Sequence, residues 1–151
     1  MNAHERSRGG AGPPCRQAVY DPGRSGRGAR FGPAVLLAGP LAAEILSCPN
    51  VHREFRFVLE LPPAALGAQV SETVEDRVTV QGVADCILEY PDRLAVIDFK
   101  TDRIFDPGAL RERYAPQLAL YRQAAEISFG KPVARLALYS FALGREVELP
   151  V

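Results

Sequence analysis

Three residues in this chain have types and spacing that read as chemistry: Asp85, Asp98 and Lys100. The last two lie in Leu94-Ala95-Val96-Ile97-Asp98-Phe99-Lys100-Thr101, an apolar run with β-branched residues. It is bounded by Pro91-Asp92 and Asp102-Arg103, which is the pattern of a buried strand. Alternation puts Leu94, Val96, Asp98 and Lys100 on one face and Ala95, Ile97 and Phe99 on the other. One face therefore starts apolar and ends with a carboxylate beside an ammonium. Burying either charge alone is costly, so the two either pair with each other or hold something else.

Asp85 sits in Val78 to Tyr90, a second strand-like run with Gly82 inside it, where a bulge is expected. A turn at Tyr90-Pro91-Asp92-Arg93 folds this run back antiparallel onto the next. Asp85 then lies about seven residues before the turn and Asp98 about six after it, so the two acids can sit nearly opposite. Neighbouring strands are ~4.8 Å apart, close enough for both carboxylates to share one cation. Oxygen ligands of this kind suit Mg²⁺ rather than zinc. Lysine choice adds information: of eighteen Lys plus Arg, only Lys100 and Lys131 are lysines. A compact ammonium suits a phosphate or an attacking water, and a plain Asp–Lys pair at a strand end is the simpler alternative.

Several elements must position these groups. Pro33 to Ser47 has helical spacing interrupted by Gly39-Pro40, so a short helix from about Leu41 to Ser47 is expected. Val51 to Leu61 reads as a strand with Phe55, Phe57 and Leu59 facing one way and Glu54, Arg56 and Val58 the other. Glu54 either adds a carboxylate to the site or pairs with Arg53 or Arg56, and pairing is the preferred reading. Pro62-Pro63 through Glu75 is a loop with room for one helical turn. Asp106-Pro107 opens a helix that Gly130 and Pro132 close near Phe129. Leu110, Tyr114, Gln117, Leu118, Tyr121 and Ala125 share one of its faces. Gln117 either caps a sheet-edge carbonyl or points at the site, because a buried amide needs partners. Pro116 predicts a kink or a restart of the helix. Val133 to Ala142 and Arg145 to Leu149 are two more strands, turned at Leu143-Gly144. The order β-β-β-α-β-β is an α+β arrangement with a helix packed on one face of a sheet.

Gly82-Val83-Ala84-Asp85, Ile97-Asp98-Phe99-Lys100-Thr101-Asp102 and Tyr114-Ala115-Pro116-Gln117-Leu118-Ala119-Leu120-Tyr121 follow in that order. Together they resemble the nuclease domain of the PD-(D/E)XK superfamily, and within it the C-terminal nuclease module of AddA- and RecB-type helicase–nucleases. The resemblance covers roughly Val51 to Leu149. It implies a restriction-endonuclease-like core with a mixed, largely antiparallel sheet. It also implies that Asp85 and Asp98 coordinate Mg²⁺ or Mn²⁺ and that Lys100 positions or activates the hydrolytic water. Gln117 and Tyr114 would shape the site or hold DNA. The implied activity is metal-dependent DNA hydrolysis, exonucleolytic and in break repair and recombination, with a partner helicase domain or helicase–nuclease subunit. That family also carries an upstream ligand His in a G-x-x-x-H setting. Neither His4 nor His52 matches it, and the alternative is a truncated, inactive nuclease fold for DNA guiding or assembly.

Bulk properties bound these readings. The 151 residues make at most one domain, and 47% hydrophobic with 24% charged residues is ordinary for a globular protein. No apolar run approaches a membrane span and no signal peptide is evident, so the cytoplasm is the expected compartment. Cys15, Cys48 and Cys86 form no C-x-x-C pair, so neither a disulfide framework nor a zinc or iron–sulfur site is indicated. Residues 1–32 are Gly/Arg/Pro-rich and expected to be disordered, with residues 33–151 as the nuclease-like domain. Met1 to Arg30 holds six Arg against Glu5 and Asp21, leaving 12 basic and 16 acidic residues elsewhere. An acidic body is compatible with a metal site but weakens autonomous binding to phosphate backbones. No G-x-x-x-x-G-K-[ST] is present, so any ATP-driven unwinding lies in another part of the protein.

Overall fold

The computed structural model describes residue 36, residues 38–66 and residues 77–151. The segment expected to be disordered, residues 1–32, and the latter part of the 62–75 loop lie outside the described residues. Helix α1 (Pro40–Ser47) is followed by strand β1 (Asn50–Leu61), a 3-10 turn at Pro63–Leu66, β2 (Val78–Glu89) and β3 (Leu94–Lys100). Helix α2 (Pro107–Phe129), β4 (Val133–Ser140) and β5 (Arg145–Leu149) complete the order. The five strands form one sheet in sequence order. All pairs are antiparallel except β3 and β4, which run parallel because α2 crosses between them.

Local chemistry explains the long helix. Asp106 caps it, its carboxylate accepting from the amides of Gly108 at 3.0 Å and Ala109 at 3.2 Å, with Pro107 in the first turn. Gly130 ends it at φ 63°, a left-handed conformation that glycine adopts without steric cost. The helix is continuous through Pro116, so the restart considered from sequence does not occur. Leu110, Leu118, Tyr121, Ala124 and Ala125 are buried against Leu94, Val96, Leu136 and Leu138 of the central strands. On the other face, Leu36 and Leu41 cover Cys86, Leu88, Ala95, Ile97 and Ala137. The sheet is thus packed on both faces, the second one covered by the short helix expected near Leu41 to Ser47.

One expectation about β2 needs correction. Gly82 is not a bulge: it pairs in register with Phe57. Its lack of a side chain serves the Phe57 ring instead, since a Cβ on Gly82 would stand 2.4 Å from the Phe57 Cζ. The irregularity falls three residues later. Ala84 and Ile87 both join the core under α2, while Cys86 and Leu88 join the opposite one, so alternation slips at Asp85. In β1 the matching slip is at Glu54, whose φ is 51°. Pairing is Arg53↔Cys86 on one side and Phe55↔Ala84 on the other, so the two slips cancel and the register is kept. No helix among the described residues is long and apolar enough to cross a membrane.

Candidate active site

The C-terminal end of β3 is where the groups converge. Backbone pairing between β2 and β3 stops at Cys86↔Ile97. Beyond it, Asp85 Oδ2 accepts the Phe99 amide at 2.8 Å, replacing the next ladder bond with a carboxylate. Asp85 is thereby fixed beside Asp98, close enough that its charge and a side-chain contact both act on the Asp98 carboxyl. On the other side of β3 the Phe141 amide donates to the Lys100 carbonyl at 3.0 Å, so the strand end is held from both flanks. The two acids and the ammonium predicted from spacing are brought together.

Asp98 is only 2% exposed. Its pKa is pushed up to about 6, first by burial and then by the Asp85 charge, with Lys100 acting in the opposite direction. Lys100 Nζ stands 2.7 Å from Asp98 Oδ2 as an ion pair. Even so, Asp98 Oδ2 is a buried oxygen with no properly directed hydrogen bond. An ammonium at that distance still takes part of the oxygen's acceptor capacity, and it pulls the Asp98 pKa down. A buried carboxylate beside a second carboxylate fits a cation that binds oxygen.

Lys100 is aimed by α2. Its ammonium donates to Gln117 Oε1 at 2.9 Å and lies 4.2 Å from the centre of the Tyr114 ring, a cation–π contact. Tyr114 is held in turn by a 2.6 Å hydrogen bond from its hydroxyl to Asp102 Oδ2. Gln117 therefore points at the site rather than capping a sheet edge. Lys131, the other lysine, donates to Glu89 Oε1 at 2.6 Å and to the Tyr90 carbonyl at 3.0 Å, towards the opposite end of β3. Glu54 does not follow its preferred reading. It is exposed and makes no ion pair with Arg53 or Arg56 among the described residues. Nor does it complete a cluster of three candidate metal-ligating side chains, none of which exists among the described residues.

Residues 38–148 match the PD-(D/E)XK nuclease superfamily. The chain belongs to that superfamily. Its five-stranded mixed sheet with a crossover helix is the corresponding restriction-endonuclease-like fold. It is 34% identical over 114 residues to an ATP-dependent helicase/nuclease subunit of Desulforamulus reducens, a match covering 74% of this chain and 9% of that protein. Identity is 34% over 116 residues to the subunit of the same name from Oceanobacillus iheyensis, covering 73% of the chain and 9% of the relative. For that of Desulforudis audaxviator it is 36% over 113 residues, covering 74% and 9%. The chain thus spans about a tenth of the length of these curated relatives.

Two residues quoted within the motifs make contacts that the sequence did not assign. Tyr121 appears in the sequence as one of the apolar face residues of α2, yet its hydroxyl accepts from Gln117 Nε2 at 2.6 Å. Asp102 reads as a loop residue, yet it anchors Tyr114. For Tyr121 the signal lay in helical spacing, since it is one turn from Gln117; Asp102 precedes the helix and carries no such signal.

Proposed function

We propose that the chain is a metal-dependent deoxyribonuclease domain, in which Asp85 and Asp98 hold Mg²⁺ or Mn²⁺ and Lys100, Gln117 and Tyr114 complete the catalytic group. The observation that carries this reading is the buried Asp98 carboxyl beside Asp85, with an aimed ammonium 2.7 Å away. The bound ion would polarise the scissile phosphate and lower the pKa of a coordinated water. Asp85 and Asp98 orient that group through a strand end fixed by the Phe99 and Phe141 amides. Lys100 presents its positive charge where negative charge builds on the phosphate during water attack and P–O cleavage. Gln117 Oε1 and the Tyr114 ring keep that ammonium from swinging away.

By its likeness to helicase/nuclease subunits, the domain acts as an exonuclease within a larger helicase–nuclease in the cytoplasm, in double-strand break repair and recombination. A helicase domain or subunit would deliver DNA, which suits a body whose own charge outside Met1 to Arg30 is net acidic. The test is Mg²⁺-dependent cleavage of single- and double-stranded DNA. Equal activity in Asp98→Ala removes the proposal.

A second reading is a nuclease fold kept for DNA guiding or for assembly with other subunits. It is favoured by a ligand set of two carboxylates among the described residues. Metal titration separates the two: an inactive module binds Mg²⁺ and Mn²⁺ weakly and cleaves nothing at any concentration.

A further inference from the structure

The loop that leads from Lys100 to α2 carries two side chains that the site as described does not use. Along residues 102–106 alternate side chains are tied down. Asp102 accepts the Tyr114 hydroxyl at 2.6 Å, Ile104 packs on the core under α2, and Asp106 caps that helix. Arg103 and Phe105, between these anchors, are left facing water. Phe105 is 68% exposed and makes no ring contact among the described residues. Fraying does not explain this bare ring, because the backbone is pinned on both sides of it. Arg103 makes no ion pair among the described residues. Arg113 is also exposed, and its guanidinium lies 5.5 Å from the centre of the Tyr114 ring that Lys100 approaches. Isolated exposed apolar residues are common on protein surfaces. A fixed aromatic with two exposed guanidiniums, all next to a group suited to phosphate, is a more specific combination. It is the composition of a single-strand contact, a π-face for a base and cations for the phosphates on either side.

We propose that Phe105 is a substrate-binding residue: its ring stacks on an unpaired base of the strand held at the site, with Arg103 and Arg113 against the flanking phosphates. The proposal rests on the nuclease reading above and deepens it by assigning the contact that holds the strand. In a duplex each base face is covered by its neighbours, so the ring has nothing to stack on. The body outside Met1 to Arg30 is net acidic, so attraction for phosphates alone is weak. Stacking adds a hold that does not depend on charge.

The chain contains no tryptophan, so Phe105→Trp introduces a single fluorescent reporter at this position. At low salt, with Ca²⁺ in place of Mg²⁺, a short oligothymidylate should quench that emission and a blunt duplex should not. Anisotropy of labelled strands gives the affinities. The unmodified chain should bind the oligothymidylate roughly tenfold more tightly than an abasic strand of equal length, which has the same phosphates and no bases. Phe105→Ala should abolish that difference, bind duplex as before and melt at the temperature of the unmodified chain. Its dependence on salt should stay the same, whereas Arg103→Ala should make the log–log slope shallower by about 0.7, the value for one phosphate on a single strand. An unquenched reporter at millimolar oligothymidylate leaves the ring to a contact with another protein and overturns the proposal. Equal quenching by duplex overturns it as well. So does equal affinity of the unmodified chain for normal and abasic strands, a comparison that needs no variant. Quenching by the single strand with no Mg²⁺- or Mn²⁺-dependent cleavage by any form keeps the stacking contact and removes the nuclease reading. Cleavage that is unchanged in Phe105→Ala, with no quenching, does the opposite.

Discussion

Replacing Asp98 by Asn should make the metal-free protein more stable at neutral pH while abolishing its response to metal. The reason is the environment of the carboxyl. Burial and the Asp85 charge together outweigh Lys100 and raise the Asp98 pKa from 3.8 to about 6. A carboxyl raised on folding stabilises the fold only while it is protonated. Its contribution is complete below about pH 4 and is lost as pH rises through about 6, because the folded state binds the proton more tightly than the unfolded one. The difference between those values corresponds to roughly 3 kcal/mol between protonated and ionised forms. Asn cannot ionise and so escapes this cost. Lys100 loses its counter-charge in the variant, at 14% side-chain exposure, but keeps Gln117 Oε1 and the Tyr114 ring. We therefore expect a net gain of about 1–2 kcal/mol at pH 7.5, shrinking towards zero near pH 4. Urea melts in chelator at both pH values measure it. Adding Mg²⁺ at a hundred times its Kd should then stabilise the unmodified chain by about 2.7 kcal/mol and leave Asp98→Asn unmoved. A variant that is less stable at pH 7.5 by as much as at pH 4 refutes the burial argument, whatever its activity.

Three further expectations concern the surroundings of the site. Gly82→Ala should cost about 1–3 kcal/mol, because the new Cβ meets a Phe57 ring that is itself buried and has little room to move; thermal melts test it. Burial raises the Cys86 thiol pKa to about 12, so Cys86 should resist a thiol reagent at pH 8 until the protein is unfolded, as mass mapping of the labelled peptides will show. Tyr114→Phe should keep the ring beneath Lys100 and lose only the Asp102 bond, so cleavage should fall less than for Tyr114→Ala.

What sequence made legible follows from which forces act locally. The Asp98–Lys100 pairing on one face is a consequence of strand alternation, and the Asp85–Asp98 approach follows from counting to one turn. Both survive because the turn at Tyr90 to Arg93 fixes the register. Capping of α2 was equally local. Gly82 was misread for a reason that is not local. A glycine in a strand marks either an irregular backbone or a neighbour that needs room, and only the position of Phe57 distinguishes the two. The real irregularity sits at Asp85 opposite a non-glycine residue with φ 51°, where no composition signal exists. Tyr121 was hidden differently, since an amphipathic ring on a buried face looks like core until its hydroxyl's partner is known.

The double slip at Glu54 and Asp85 is the part of the fold that the site most depends on. Regular alternation through β2 would put Ala84 and Cys86 on the same face, whereas here they serve opposite cores. Shifting the face at Asp85 lets the strand bury Ala84 under α2 and Cys86 under α1 while the residue between them reaches sideways to the Phe99 amide. Such a slip in β2 alone would misalign β1 from that point on, and a one-residue misalignment turns every side chain over. The left-handed turn at Glu54 compensates it, so Phe55, Phe57 and Leu59 remain in the core. The backbone strain at Glu54 and the unfavourable burial of the Asp98 charge are then two costs of one arrangement. Each lies beside the proposed metal ligands, where a bound cation would offset the burial of the Asp98 charge.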